Sequence, residues 1–122
     1  MRRLLVPVLT LTAILALAAS AALALSSGPG ISADQALDAL KQGNIRYVSG
    51  AVAHPDQGKW RRDETAKNGQ KPFVTVLSCS DSRVPVELLF DRGVGDIFSV
   101  RIAGNVAEDG GVGTIEYGVD HL

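Results

Sequence analysis

The residues best suited to chemistry lie together in one short segment, Cys79–Pro85, which reads Cys-Ser-Asp-Ser-Arg-Val-Pro. It places a thiol at Cys79, a carboxylate at Asp81 and a guanidinium at Arg83 within five residues. A thiolate binds zinc, a carboxylate can ligate metal or accept a proton, and an arginine can hold that carboxylate in one orientation. The segment therefore predicts a metal site that tunes a bound water. The plainer alternative, a buried cysteine beside a surface Asp–Arg pair, stays open at this point because free cysteines are commonly buried.

Other chemistries fit these residues less well. A phosphate-binding C-x5-R loop requires arginine where Pro85 stands. A thiol hydrolase requires a histidine base, but His54 is expected on a surface loop and His121 near the end of a helix. The segment 111–116 (Gly-Val-Gly-Thr-Ile-Glu) lacks the third glycine of a dinucleotide-binding loop, and no acidic residue follows at the required distance.

Composition narrows the class of protein. A chain of 122 residues with 46% hydrophobic and 20% charged residues is long enough for one small folded domain and is not disordered. The net charge is −1, and no basic stretch extends beyond Arg61-Arg62, so a nucleic-acid partner is not expected. A single cysteine excludes an internal disulfide and a CxxC pair.

The N-terminus predicts export. Met1-Arg2-Arg3 precedes an apolar run over 4–25 that ends in overlapping Ala-x-Ala patterns, which is typical of a secretory signal peptide. We expect a signal peptide over 1–24 and a Ser/Gly/Pro linker over 25–31, and hence a periplasmic or secreted protein that is not inserted in the membrane after cleavage. An uncleaved membrane anchor is the alternative, because the run is long enough to span a bilayer.

Two helices are predicted before the first strand. Ser32 and Gln35 have the spacing of a capping box, and Gly43 predicts the end of this first helix. Three apolar residues are expected to pack where the chain leaves it: Ile45, Tyr47 and Val48. A loop over 50–58 and a short charged helix over 59–67 follow.

The remaining chain alternates strands and helices. Residues 73–78 predict a strand buried on both faces, 84–90 a helix with proline in its first turn, 96–101 a second strand and 114–122 a last helix. This order indicates an α/β fold with a central, mostly parallel sheet flanked by helices and an N-terminal helical arm. Cys79 would lie at the carboxyl end of a strand, where such sheets bind ligands.

The last predicted helix has an apolar face formed by Ile115, Val119 and Leu122, and no strand follows to cover it. We therefore expect the domain to be incomplete at its C-terminus and only marginally stable as it stands.

Several segments together carry a resemblance. Cys79–Pro85 resembles the first zinc-site signature of the β-class carbonic anhydrases. Further segments resemble the family's motifs in the same order: Gly43–Val48 (G-N-x-R-F/Y), Gln70–Pro72 (Q-x-P), Arg101–Asn105 (R-x-A-G-N) and Ile115–Val119. The similarity runs from Ser32 to the last residue, so 32–122 is identified as the N-terminal part of a β-carbonic-anhydrase-like domain.

The resemblance implies zinc-dependent, reversible hydration of carbon dioxide to bicarbonate. The resemblance implies that Cys79 is the first zinc ligand. Asp81 accepts a hydrogen bond from the zinc-bound water, or in some members ligates zinc instead, and Arg83 holds Asp81. It assigns the lining of substrate pockets to three further residues: Gln70, which reaches the neighbouring subunit's pocket, and Arg101 and Asn105. Family members are dimers or larger assemblies.

The chain departs from the family pattern in one respect. The family's other zinc ligands are a histidine and a cysteine in a G-H-x-x-C-G motif on the strand after the last helix, and this motif is absent here; His121 does not match its histidine. Cys79 and Asp81 alone fall short of the three protein ligands usual for catalytic zinc. One alternative is therefore a truncated, non-catalytic relative that lacks the second and third zinc ligands. A separate alternative is a sibling chemistry on the same scaffold, the hydrolysis of carbonyl sulfide or carbon disulfide.

Overall fold

The computed structural model describes residues 30–122. The predicted signal peptide and most of the predicted linker lie outside the described residues. Between residues 30 and 122, no helix is both long and apolar enough to cross a membrane. The elements are α1 (Ala33–Ser49), α2 (Lys59–Asn68), β1 (Val74–Ser78), α3 (Val86–Leu89), β2 (Ile97–Arg101), a 3-10 turn (Ala103–Asn105) and α4 (Asp109–His121).

The two strands pair in parallel, with Val74 opposite Ile97 and Ser78 opposite Arg101. The hydrogen bonding continues past both strands, because the Ile102 amide donates to the Ser78 carbonyl at 3.0 Å. Parallel strands joined through helices confirm the predicted α/β class. The prediction that β1 is buried on both faces is wrong for the described residues, where its first four residues are half-buried and only Ser78 is buried. There β1 has a single neighbouring strand.

Helices cover opposite faces of this sheet. On one face, Ser99 of β2 donates a hydrogen bond to Glu87 of α3 at 2.6 Å. On the other, Gly118 of α4 lies so close to Phe98 and Thr75 that a Cβ on it would stand 2.5 Å from the Phe98 ring and 2.7 Å from Thr75 Oγ1. Since successive residues of a strand point to opposite faces, α3 and α4 lie on opposite sides of the sheet. This is the doubly wound arrangement, whose ligand sites lie at the carboxyl ends of the strands.

Helix α1 begins as predicted and ends later than predicted. Ser32 accepts a hydrogen bond from the Gln35 amide while the Gln35 side chain accepts one from the Ser32 amide, which confirms the capping box. The helix continues through Gly43 and stops at Gly50, whose φ is +73°. The predicted stop at Gly43 is therefore wrong: Gly43 is glycine because the Phe90 carbonyl of the next layer occupies the space of a Cβ.

The residues predicted to pack the exit of that helix lie inside it and face solvent. Ile45, Tyr47 and Val48 are 58%, 42% and 78% exposed. The error follows from the misplaced helix end, because a helix that continues to Ser49 turns these side chains outward.

An ion pair between the partly exposed Arg46 and the buried Asp91 fastens α1 to the chain after α3. Asp91 is 1% exposed and accepts hydrogen bonds from Arg46 Nε at 2.5 Å, the Ala53 amide at 3.0 Å and the His54 amide at 2.9 Å. Burial opposes ionisation of Asp91, but the hydrogen bonds from Ala53, Arg46 and His54 outweigh it and hold its pKa below the ordinary aspartate value. Asp91 thus serves as the buried counter-ion for the arginine of the segment 43–48.

The remaining helices differ from prediction mainly at their starts. Helix α2 spans almost the predicted residues. Helix α3 begins at Val86, with Pro85 as its N-cap rather than in its first turn. Helix α4 begins at Asp109 rather than at residue 114. Its first half contains three glycines, of which Gly111 is buried with the Ile102 side chain packed against it.

The predicted apolar face of α4 borders an open groove. Val119 is 70% exposed, and Ile115 and Leu122 are half-buried. The groove has a volume of about 400 Å³ and runs between the C-terminal turn of α4 and the first residues of β1.

Candidate functional site

The candidate site lies where the chain leaves the two parallel strands. Cys79 directly follows β1 and is half-buried. The 3-10 turn follows β2 at the same edge of the sheet. The Ser80 amide donates to the Ile102 carbonyl at 3.2 Å, which ties the two loops together. The parallel pairing therefore brings the segment 79–83 and the turn 103–105 into one place.

Asp81 and Arg83 form the predicted pair. Arg83 Nε donates to Asp81 Oδ1 at 3.0 Å and Arg83 Nη2 donates to Asp81 Oδ2 at 2.7 Å. The Arg83 amide adds a third hydrogen bond to Oδ1 at 2.9 Å. The Arg83 side chain and its amide lower the pKa of Asp81, and the carboxylate in turn raises the pKa of Arg83. Asp81 is thus held ionised and in one orientation.

The sulfur of Cys79 faces backbone amides. The Asp81 amide donates to Sγ at 3.4 Å. This amide and that of Gly104, with a smaller contribution from Asn105, lower the pKa of the Cys79 thiol below its ordinary value against the opposing effects of desolvation and the Asp81 charge. Gly104 and Asn105 have φ of +69° and +47°, so both adopt the left-handed conformation that this tight turn requires. The amides therefore make it easier for Cys79 to form the thiolate, which is the form that binds metal.

Two of the residues predicted to line the pocket lie at this site, and one does not. Arg101 donates to the carbonyls of Cys79 and Asp81, and Asn105 contributes its backbone amide beside the sulfur. Gln70 is exposed in the segment that enters β1, at the strand's opposite end from Cys79. Its predicted reach into a neighbouring subunit stays a prediction.

The histidines lie elsewhere, as predicted. The His54 amide donates to Asp91, and the His121 ring stacks on Tyr117 with centroids 4.9 Å apart. Neither residue belongs to the group around Cys79.

The donor set fits part of a zinc site. The Cys79 thiol suits one ligand position, while the Asp81 carboxylate is engaged by Arg83. Among residues 30–122, no group of three His, Cys, Asp or Glu side chains could hold a metal ion. A three-ligand zinc site therefore requires donors beyond those that these residues bring together.

Sequence reasoning missed the role of the turn after β2. The amides of Gly104 and Asn105 act through the backbone, and the only signal in the sequence was a Gly-Asn pair after a strand, which is typical of left-handed turns.

Comparisons with known proteins concern this same region. Residues 74–122 match the family model described as carbonic anhydrase. A carbonic anhydrase of Mycolicibacterium smegmatis is 46% identical over 94 residues, which cover 77% of this chain and 45% of that protein. Carbonic anhydrase 2 of Mycobacterium tuberculosis is 45% identical over the same shares. A carbonic anhydrase of Synechococcus elongatus is 40% identical over 65 residues, 48% of this chain and 24% of that protein. The chain thus spans a little under half the length of the first two relatives.

Proposed function

This chain belongs to the carbonic anhydrase family, and we propose that the whole protein catalyses the zinc-dependent, reversible hydration of carbon dioxide to bicarbonate. The resemblance to the β-class that the motifs carry is confirmed at the level of the family. The observation that supports the proposed reaction is the geometry after β1. There, a thiol whose pKa is lowered stands two residues from a carboxylate fixed by a bidentate arginine.

Cys79 is the proposed zinc ligand of this segment. Backbone amides that stabilise the thiolate reduce the cost of deprotonating Cys79 before it binds a cation. When bound, zinc lowers the pKa of a coordinated water to about 7 and so supplies hydroxide near neutral pH. Because residues 30–122 bring no group of three ligating side chains together, the remaining zinc ligands would be other donors than those near Cys79.

Asp81 is the proposed hydrogen-bond acceptor for the reacting water. An ionised carboxylate offers about four lone-pair positions. Arg83 occupies both positions on Oδ1 and one on Oδ2, which leaves one direction on Oδ2 for a water. Because Arg83 keeps Asp81 ionised, Asp81 can accept a hydrogen bond from the water but cannot donate one, and it thereby holds the water in a fixed orientation.

The role of Asp81 is testable by substitution. We expect Asp81→Asn to lower kcat for carbon dioxide hydration by about 10- to 100-fold, as is usual for partners that orient a metal site, with zinc content unchanged. Arg62→Gln is the control, because Arg62 is exposed and, among residues 30–122, its side chain donates to the Gln57 carbonyl alone, away from the site. Wild-type kcat in the zinc-loaded Asp81→Asn protein would contradict this role.

We also propose that the protein is exported and assembles as a dimer or larger oligomer. The basic start and apolar run over 4–25 support export, and the exposed position of Gln70 is compatible with contact to a second subunit. N-terminal sequencing of the protein from its native source, with 25 or a neighbouring residue first, would support cleavage of a signal peptide over 1–24. Light scattering of the same sample measures the oligomeric state.

A further inference from the structure

The side chain of Arg101 folds back from the end of β2 onto the loop that follows β1. Its Nε donates to the Cys79 carbonyl at 3.2 Å, and its Nη2 donates to the Asp81 carbonyl at 2.7 Å. These two carbonyls flank Ser80. One guanidinium therefore bridges both ends of the short segment that carries the thiol and the carboxylate.

The backbone amides of the same segment are also hydrogen-bonded. The Ser80 amide donates to the Ile102 carbonyl, and the Asp81 amide donates to Cys79 Sγ. The carbonyls bound by Arg101 belong to the peptide units on either side of residues 80 and 81. Because an arginine fork is planar and rigid, it fixes the separation of the two carbonyls it binds. The Asp81 amide that faces the sulfur lies between these two carbonyls along the chain.

We propose that Arg101 is a positioning residue that clamps the Cys79–Asp81 loop and thereby sets the spacing of the thiol and the carboxylate. This role differs from the pocket-wall role that the resemblance implies for Arg101. The hydrogen bonds by which Arg101 holds the loop do not depend on what the protein binds, whereas their effect on metal binding rests on the proposed function.

The test compares Arg101→Gln, Arg101→Lys and the control Arg62→Gln in the whole protein. The first measurement is amide hydrogen exchange of Ser80 and Asp81 in the loop, referred to Val76 within β1. The second is titration with Cd²⁺ alone, followed by the ultraviolet absorption of a thiolate–cadmium bond.

We expect Arg101→Gln to accelerate exchange of the Asp81 amide by about tenfold and to weaken Cd²⁺ binding by about tenfold, with exchange at Val76 unchanged. We expect Arg101→Lys to restore part of both losses, because an ammonium reaches one carbonyl rather than two. Arg62→Gln should match the wild type in both measurements. If Arg101→Gln does not fold, Arg101→Lys carries the test by faster exchange at Asp81 than in the wild type.

Two results would overturn the clamp. A raised KM for carbon dioxide, with loop exchange and Cd²⁺ affinity as in the wild type, would assign Arg101 to the pocket wall. Equal acceleration at Val76 and Asp81 would show a general loss of stability instead. If the wild type neither binds Cd²⁺ through Cys79 nor hydrates carbon dioxide, the proposed function fails, while the exchange comparison still decides whether Arg101 holds the loop.

Discussion

The substitution Asp91→Asn tests how α1 is held against the rest of the fold. Asp91 is 1% exposed, and its carboxylate accepts hydrogen bonds from Arg46, Ala53 and His54. Asparagine suits this position sterically, because Asp91 has a φ of +46° and asparagine tolerates the left-handed conformation. The substitution therefore removes the charge and one acceptor without adding backbone strain.

The expected loss of stability follows from those three hydrogen bonds. An asparagine keeps one acceptor oxygen and turns an amide donor towards the remaining donors. Hydrogen bonds to a charged group contribute about 1.5–3 kcal/mol each, and the Arg46 bond is weaker than that because its side chain is 34% exposed. We expect a loss of about 3 kcal/mol in the free energy of unfolding, and a fall in Tm of about 10 °C or more.

The effect should also depend on pH. Because the pKa of Asp91 is lower in the folded state, its contribution is fully present above the unfolded pKa and is lost as pH falls through the folded pKa. The difference between wild type and variant should therefore be constant from pH 5 to 7 and shrink below about pH 4.

Urea unfolding followed by circular dichroism measures both quantities; the fluorescence of Trp60 is a poor probe because Trp60 is 61% exposed. Asp63→Asn is the control, since the Lys59–Asp63 pair is exposed at both ends and should contribute under about 0.5 kcal/mol. A loss below about 1 kcal/mol for Asp91→Asn, or a difference that persists unchanged to pH 3, would refute this reasoning.

Three further predictions address other parts of the fold and the site. Gly118→Ala should lower the free energy of unfolding by about 1–2 kcal/mol, because the added Cβ is forced against Phe98. Gly113→Ala in the same helix should raise it by about 0.5–1 kcal/mol, because the Cβ there meets open space. Thermal unfolding of both variants tests this contrast. Burial raises the pKa of Asp96, so its ionisation opposes folding at neutral pH, and Asp96→Asn should be less destabilising at pH 7 than at pH 4 in urea titrations; the opposite order would contradict the assignment. Alkylation of metal-free protein by iodoacetamide should rise at a pH below that of an ordinary thiol, because amides lower the pKa of Cys79, and a profile like that of free cysteine would argue against this role of the amides.

Local patterns in the sequence predicted the elements well where neighbouring residues decide the outcome. The Ser32–Gln35 capping box lies where the pattern places it, and the two strands lie within one residue of their predicted bounds, because caps and short runs rich in β-branched and apolar residues are local signals. The pair Asp81–Arg83 was also predictable, since its partners stand two residues apart in one loop.

Prediction from the sequence was wrong or incomplete where contacts between residues far apart in the chain determine the structure. Gly43 has the sequence pattern of a helix end, but a glycine is required there because the Phe90 carbonyl occupies the space of a Cβ. No sequence pattern around Asp91 indicates that it is the buried counter-ion of Arg46, which lies 45 residues earlier in the chain. The contacts of Arg101 with two carbonyls depend on the parallel pairing of β1 with β2, which a linear motif does not contain.

The most direct test of the proposed function is carbon dioxide hydration measured by stopped flow, with zinc content determined on the same sample. The comparison is between the whole protein and its Cys79→Ser variant, with Arg62→Gln as the control for handling. We predict about one zinc ion per subunit and zinc-dependent hydration in the wild type and control, and the loss of both in Cys79→Ser. Zinc binding and hydration that survive in Cys79→Ser would contradict the claim that this thiol holds the catalytic metal.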